Sequence, residues 1–229
     1  RFQFFRLSGM DMVQTYVPNN GDKFEKWQHR CEWDEDMAEF LAARKRIYEK
    51  AGVVPVLLWC GDMNVARDYR DGTHWEQQHN DNSVYEWWTD EAMCSIKRDN
   101  NNNNNNTEKH FDNVGMASFT PAERRRFNTT LAREDFCDVW RELHPGGVTN
   151  ANQLSVWDRP NWSWRCHLSK DSGKKSKYEG KGQRLDYFLL SPSSTMDRVE
   201  SCEILGHGRL REGLFCGSDH CAVSLTLKG

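Results

Sequence analysis

An unbroken apolar run, VVPVLLWC at residues 53–60, ends abruptly in Gly61, Asp62, Met63 and Asn64. A run rich in Val and Leu without polar alternation is typical of a central strand covered on both faces of its sheet. If the chain stays extended past Gly61, the two-residue period places Asp62 and Asn64 on the same side. One carboxylate beside one amide suits water activation next to a phosphate. The alternative is that these residues only begin a turn, because Gly, Asp and Asn are turn residues.

The segment before this run predicts a strand, helix, strand order. Residues 10–17 mix apolar and polar positions as a strand does, then break at the turn signal PNNG at 18–21. Residues 24–31 and 37–48 each carry an apolar face at helical spacing, with Asp34 available as the N-cap of the second helix. This order predicts an α/β fold in which both strands share one sheet.

Composition limits the class of protein. The chain has 229 residues, which favours one large domain, and a formal net charge of −3, so nucleic acid binding has to come from local patches. The eight cysteines contain no C-x-x-C spacing, which argues against zinc clusters and disulfide scaffolds. Since no apolar run approaches the roughly 18 residues that span a bilayer, no membrane partner is expected.

Two segments are predicted to lie outside the core. Residues 70–112 contain seven consecutive asparagines and lack periodicity, which predicts a disordered surface insertion. Residues 168–183 are predicted to form a basic flexible loop, within a stretch that follows Trp157, Trp162 and Trp164. Aromatic rings beside basic residues suit nucleic acid, because rings stack on bases while cations neutralise phosphates. A flexible loop over a small aromatic core fits the same composition.

The second half of the chain carries a helix start, a buried acid and a final strand. Thr120 can cap a helix that continues through Pro121 and Glu123, a capping box, and a second helical pattern runs through 136–144. The run LDYFLL at 185–190 predicts a buried strand whose single acid, Asp186, needs a partner because an unpaired buried carboxylate is costly. A histidine is the obvious candidate. Alternating residues at 223–227 predict a one-sided strand directly after the acidic segment GSDH.

Seven blocks along the chain resemble a known family. They are YVPNNG (16–21), WDEDMAEFL (33–41), GDMN (61–64), SFTPAER (118–124), FCDVWRELHP (136–145), RLDYFLLS (184–191) and GSDHC (217–221). They are similar, in the same order, to the exonuclease III type of apurinic/apyrimidinic (AP) endonucleases within the endonuclease/exonuclease/phosphatase superfamily. GDMN and SDH indicate only the superfamily, whereas FTPAER, WRELHP and RLDYFLLS narrow the resemblance to the AP endonuclease branch. The fold that this implies is a four-layered α/β sandwich of the deoxyribonuclease-I-like type.

The resemblance also implies a catalytic set. Asp62 would orient or deprotonate the attacking water, and Asn64 would hold the phosphate and that water. His220, positioned by Asp186, would donate a hydrogen bond to a phosphate oxygen, and Tyr16 would contact the phosphate.

A metal and three substrate contacts complete the implied site. Asp219 would sit near a divalent metal, Mg²⁺ or Mn²⁺, and the leaving oxygen. Trp164 would pack at the abasic-site pocket, and Asn113 and Arg184 would complete the substrate-binding set.

The implied activity is metal-assisted hydrolysis of double-stranded DNA 5' to an abasic site, with 3'-5' exonuclease or 3'-phosphodiesterase activity as a further expectation. The corresponding role is base excision repair in the nucleus. The complete protein is expected to be a monomer. Two alternatives are a superfamily phosphatase with another phosphoester substrate and a non-catalytic or degenerate DNA-binding copy.

Nothing in the chain corresponds to the Asn and the principal metal-binding Glu that the family carries on early strands. The resemblance therefore predicts that residues 1–229 form a partial domain, its carboxy-terminal two thirds, in an amino-terminally truncated copy. A sheet without its early strands has an uncovered edge, which favours aggregation. The fragment alone is expected to be inactive and poorly soluble.

Overall fold

The computed structural model describes residues 1–7, 9–19, 24–53, 56–67, 69–72, 118–145, 162–165, 182–205 and 218–228. The strands are β1 (Phe2–Leu7), β2 (Met10–Tyr16), β3 (Val56–Asp62), β4 (Cys137–Asp138), β5 (Trp164–Arg165), β6 (Gly182–Gln183), β7 (Asp186–Ser191), β8 (Val199–Ile204) and β9 (Val223–Leu227). The helices are α1 (Phe24–Ala51), α2 (Pro121–Arg133) and α3 (Val139–Leu143), with short 3₁₀ helices at Tyr69–Asp71 and Ser193–Arg198.

A mixed five-stranded sheet organises the fold. Its strand order is β1-β2-β3-β7-β4, and β5-β6 and β8-β9 form two-stranded sheets. β2 and β3 pair in parallel and are joined through α1, whereas β1, β7 and β4 pair antiparallel with their neighbours. The predicted α/β class, and the sharing of one sheet by β2 and β3, are confirmed. The four-layered arrangement stays a prediction.

Strand β3 is buried on both faces, as its sequence predicts. Leu57 and Trp59 pack in one apolar cluster with residues of α1 and α2. Val56 and Leu58 pack in a second cluster with residues of α3 and β8. Successive side chains of a strand point to opposite faces, so a strand between two cores needs apolar residues at every position.

The amino-terminal region differs from its prediction in two ways. Strand β1, which the sequence patterns did not indicate, pairs antiparallel with β2. Residues 24–51 form one helix of 28 residues instead of two. Asp34 is therefore not an N-cap: it lies within α1, where its carboxylate accepts hydrogen bonds from Arg30 and Arg126. The segment contains no Gly or Pro to end the helix, and the ion pair between Asp34 and Arg126 ties α1 to α2.

Helix α2 begins as predicted. Thr120 is the N-cap, Pro121 is in the first turn, and the reciprocal Thr120 and Glu123 hydrogen bonds of a capping box are both present. The helix predicted at 136–144 starts later, at Val139, because Cys137 and Asp138 pair with β7.

The predicted insertion also starts later than residue 70. Asp71 is fully buried and the 3₁₀ helix that contains it belongs to the core, so residues 70–72 are part of the fold. At the other predicted segment, Gly182 and Gln183 form β6. The remaining residues of both predicted segments, 73–112 and 168–181, lie outside the described residues. Within the part of the chain that is described, no helix combines the length and apolar character needed to cross a bilayer.

Candidate active site

Three of the predicted site residues occupy neighbouring positions in the main sheet. Tyr16, the last residue of β2, pairs with Asp62, the last residue of β3. Asp62 in turn faces Asp186, the first residue of β7. The register of the sheet therefore brings together residues that are 170 positions apart along the chain (186 − 16). Tyr16 is 55% exposed, so its ring is accessible at this edge.

A tight turn joins Asp62 to Asn64. The strand ends at Asp62, and Asn64 adopts a left-handed conformation with φ of 46°. The Asn64 backbone N–H donates to Oδ1 of Asp62 at 2.8 Å, and its side-chain Nδ2 donates to Oδ2 at 3.2 Å. The chain is therefore not extended through Asn64, and it is a turn, the alternative interpretation, that places the amide against the carboxylate.

Two further residues, Asn19 and Ser118, complete this turn, and sequence reasoning did not assign either to the site. Asn19 Nδ2 donates to Oδ1 of Asn64 at 3.2 Å, and the Ser118 hydroxyl lies 3.4 Å from the same oxygen. Asn64 Nδ2 also donates to the carbonyl of Val17 at 2.8 Å. The available signal for Asn19 was its position three residues after Tyr16, at the end of a strand parallel to β3.

Asp62 is buried and carries a perturbed carboxyl group. Burial and then the charge of Asp186 raise the pKa of Asp62 to about 6, while His220, the Asn64 N–H and Arg30 oppose that rise. A carboxylate with a pKa near neutrality is able to accept a proton from water at physiological pH. Perturbed pKa values of this kind cluster at functional sites.

His220 and Asp186 form the pair that the sequence called for. His220 Nδ1 lies 2.9 Å from Oδ2 of Asp186. Burial lowers the pKa of His220, but the hydrogen bond and charge of Asp186, with the charges of Asp62 and Asp219, raise it to about 9. At neutral pH the ring is therefore a cation whose Nδ1–H is directed at Asp186.

Trp164 lies beside this pair. Its indole Nε1 donates to Oδ2 of Asp219 at 3.0 Å, and its backbone forms a bridge with His220. The ring packs against a small buried cluster of Ala66, Phe119 and Leu185. The structure thus brings Trp164 and Asp219 to the same end of the sheet as Asp62.

Ser163 is a third residue that sequence reasoning missed. It is fully buried, and its Oγ accepts hydrogen bonds at 3.0 Å from the backbone N–H groups of Leu185 and Asp186. Its carbonyl accepts from the N–H of Cys221. It therefore connects the segment that carries His220 to the first residue of β7.

Arg184 requires a correction, because it does not line the site. Its side chain is fully buried, and four hydrogen bonds of 2.6 to 3.0 Å join its guanidinium to Asp71 and Asp138. It also lies over the rings of Trp140 and Tyr187. A guanidinium held in this way supports the loop before β7 and has no surface on which to bind DNA. Asn113, the other predicted phosphate contact, lies outside the described residues.

The donor set for a metal is incomplete among the residues that the structure describes. They contain no group of three or more His, Cys, Asp or Glu that could hold a metal ion. Asp219 is exposed, but Mg²⁺ takes about six oxygen ligands in octahedral geometry. The described residues alone therefore do not fit Mg²⁺ or Mn²⁺, and we assign no chemical step to a metal.

The fold matches that of solved nuclease structures. The chain aligns over 100% of its length, and 65% of theirs, with an AP endonuclease from Archaeoglobus fulgidus (22% identity, TM-score 0.56) and with the 3' phosphatase NExo from Neisseria, bound to a product DNA hairpin (17% identity, TM-score 0.60). The mixed α/β chain therefore has the AP endonuclease and NExo fold over part of those chains.

Sequence comparison identifies homologues of this chain. A DNA-(apurinic or apyrimidinic site) endonuclease of Arabidopsis thaliana is 34% identical over 229 residues, 99% of this chain and 49% of that protein. Its counterpart in Plasmodium berghei is 26% identical over 231 residues, 36% of its length. No protein-family model matches. The chain is a homologue of AP endonucleases of the exonuclease III family, and it spans about half or less of the length of these relatives.

Proposed function

We propose that this chain forms part of a DNA-repair phosphodiesterase that hydrolyses the backbone of double-stranded DNA 5' to an abasic site. The observation that carries the proposal is the alignment of Tyr16, Asp62 and Asp186 at one sheet edge, with His220 on Asp186. The site thus offers a general base at the end of one strand and a cation held by the acid of the neighbouring strand. Phosphodiester hydrolysis requires both kinds of group.

Each group has a task that follows from its environment. Asp62, ionised above a pH of about 6, accepts a proton from the water that attacks phosphorus. The Asn64 N–H and Nδ2 hold that carboxylate in one orientation. The protonated His220 ring, with Nδ1–H on Asp186, directs its second N–H at a phosphate oxygen, where negative charge develops. Tyr16 and Trp164 flank these groups as contacts for the phosphate and the lesion.

Double-stranded DNA is the partner that we infer, because NExo, a structural relative, was crystallised with a product DNA hairpin. Stimulation by Mg²⁺ or Mn²⁺, 3'-5' exonuclease or 3'-phosphodiesterase activity, a monomeric state and a nuclear location complete the proposal.

A second candidate is a non-catalytic DNA-binding copy. The observation that favours it is the lack of a three-residue metal donor group among the described residues. Binding to abasic DNA without incision is what it predicts.

One assay separates the two. The full-length protein is incubated with a duplex carrying a single tetrahydrofuran abasic analogue, with Mg²⁺ or with EDTA, and incision is followed on denaturing gels. We expect incision 5' to the lesion, absent from the undamaged duplex, and a loss of about 100-fold or more in Asp62→Asn and His220→Ala. Asp197→Asn, an exposed acid in the 3₁₀ helix before β8, is the matched control. Tight binding of the duplex without incision would replace the first candidate by the second.

A further inference from the structure

A buried arginine lies behind the Asp62 turn. Arg30, in α1, is 1% exposed, and arginine is seldom buried so completely without a specific set of partners. Its Nε donates to Oδ1 of Asp34 at 2.8 Å. Its Nη1 donates to two backbone carbonyls, that of Asn64 at 3.0 Å and that of Pro18 at 3.2 Å.

Those two carbonyls belong to the two loops that carry the site. Pro18 follows the strand that ends at Tyr16, and Asn64 closes the turn that begins at Asp62. One nitrogen of Arg30 therefore joins the loop after β2 to the loop after β3. Hydrogen bonds to charged donors are stronger and more directional than those between neutral groups, so this bridge restrains both loops.

The remaining partners of Arg30 are two acidic side chains that stabilise the fold. Asp34 is shared, because Nε of Arg126 donates to its second carboxylate oxygen at 2.8 Å. Oε1 of Glu123 lies 3.8 Å from Nη1 of Arg30, and the Thr120 hydroxyl of the capping box donates to the same carboxylate. Arg126 thus supports the same acid from α2, which makes it a matched reference.

We propose that Arg30 is a positioning residue for the hydrolysis proposed above: by bridging the Asn64 and Pro18 carbonyls it keeps the Asp62 carboxylate and the Asn64 amide aligned for attack. The proposal rests on the proposed function. Arg30 does not itself touch the reacting atoms. Misplacement of a catalytic group by a fraction of an ångström lowers turnover more than it lowers substrate affinity.

Electrostatics adds a second, measurable effect. The charged groups that influence Asp62 are Asp186 on β7, which raises its pKa, and His220 and Arg30, which lower it. Removing the Arg30 cation therefore moves the pKa of Asp62 upward. The direction is specific, because a general loss of packing would expose Asp62 and move its pKa down towards the usual value.

The test compares Arg30→Met, Arg30→Lys and Arg126→Met in the full-length protein. For Arg30→Met we expect kcat on abasic duplex to fall about 10- to 100-fold with KM within about threefold, and the acid limb of the kcat profile to move to higher pH. In Arg30→Lys we expect the acid limb to lie at its wild-type pH, because the positive charge is retained. We expect kcat to recover only in part, because an ammonium lacks the planar, two-pronged donor geometry of a guanidinium. Arg126→Met leaves kcat and the acid limb close to wild type.

A readout that is independent of turnover separates this inference from the proposed function. Carbon-13 NMR titration of the Asp62 carboxyl, assigned with Asp62→Asn, reports its pKa directly. A higher midpoint in Arg30→Met supports the positioning role even if the protein cleaves no abasic DNA, an outcome that overturns only the proposed function. Equal loss of kcat in Arg30→Met and Arg126→Met, or an unchanged Asp62 midpoint, overturns the inference. If Arg30→Met does not fold by circular dichroism, Arg30→Lys decides: full wild-type kcat in that variant contradicts the need for the bridge.

Discussion

The Nδ1 atom of His220 lies 2.9 Å from Oδ2 of Asp186, and Asp186 pairs across the sheet with Asp62. This contact joins the segment before β9 to the first residue of β7. It also places a cationic ring and a buried carboxyl group on either side of one acid, so the charge of Asp186 raises the pKa of both Asp62 and His220.

The first prediction concerns the pH dependence of this pair. Because the pKa of His220 is raised from 6.5 to about 9 in the folded protein, its pairing stabilises the fold fully below pH 6.5 and is lost as pH rises through about 9. We expect the free energy of unfolding of the full-length protein to decrease over this window, and Asp186→Asn to flatten the decrease. Urea denaturation at pH 6, 7.5 and 9 measures it. Parallel curves for the two proteins would contradict the assignment.

The second prediction is that the proposed base destabilises its own fold. The pKa of Asp62 is raised from 3.8 to about 6, so ionisation favours the unfolded chain, and stability falls as pH rises through that window. At pH 7 in EDTA, Asp62→Asn should be more stable than wild type, by at most about 3 kcal/mol. Thermal unfolding at pH 4 and pH 7 tests this, with Asp197→Asn as the control that changes at neither pH. Equal stability of wild type and Asp62→Asn at pH 7 would contradict a raised pKa of Asp62 in the folded protein.

The third prediction concerns Arg184. Replacing it by Met leaves Asp71 and Asp138 buried without their principal cation, which costs about 3 to 5 kcal/mol for a broken buried ion pair. Arg133→Met is the control, because that side chain is 53% exposed and its ion pair with Glu134 contributes under about 1 kcal/mol. Urea denaturation midpoints compare the two. Similar midpoints would show that Arg184 is not needed for stability and would reopen a direct role in binding.

The fourth prediction concerns the glycine before Asp62. Gly61 has φ of +121°, and a Cβ built there would lie 2.1 Å from the carbonyl oxygen of Thr15 in β2. Gly61→Ala should push the two strands apart and destabilise the protein by more than about 4 kcal/mol, with loss of activity. Gly52→Ala also has a positive φ, +65°, but this lies in the left-handed region that other residues can adopt, and no atom is within 4 Å of its Cβ, so it should cost only about 1 to 2 kcal/mol. Soluble yield and the midpoint of thermal unfolding distinguish the Gly61→Ala and Gly52→Ala variants.

The fifth prediction concerns the outer strand of the sheet. β1 lies at the edge, with Phe5 and Leu7 39% and 46% exposed. An apolar edge strand is a template for further pairing, so residues 1–229 expressed alone should self-associate, and Phe5→Lys with Leu7→Lys should reduce this. Ile47→Lys, at a site 50% exposed on α1, removes a similar apolar surface away from the edge and should have little effect. Sedimentation velocity measures the oligomeric state of the wild-type chain and of the two variants. A monomeric wild-type chain would contradict the prediction.

Several local features were predictable from the sequence because their causes are local. The capping box at Thr120 and Glu123 depends on residues three positions apart. The burial of β3 follows from its unbroken apolar run. The continuity of α1 was not predictable in the same way, because Asp34 resembles a cap until α2 supplies Arg126 as its ion-pair partner.

For the candidate site, the chemical groups and the strand ends that carry them were predictable from the sequence: Asp62 after a buried run, Asp186 within another, and a histidine needed somewhere to pair it. Which of these groups meet depends on packing between distant elements. Strand register set Asp62 against Asp186 and Tyr16, the last segment brought His220 to Asp186, and burial turned Arg184 from an expected ligand contact into a support. The two kinds of feature differ in how far apart along the chain the interacting residues lie. Periodicity and capping act over a few residues, whereas the partner of a buried charge is selected by packing between elements that are far apart in the chain.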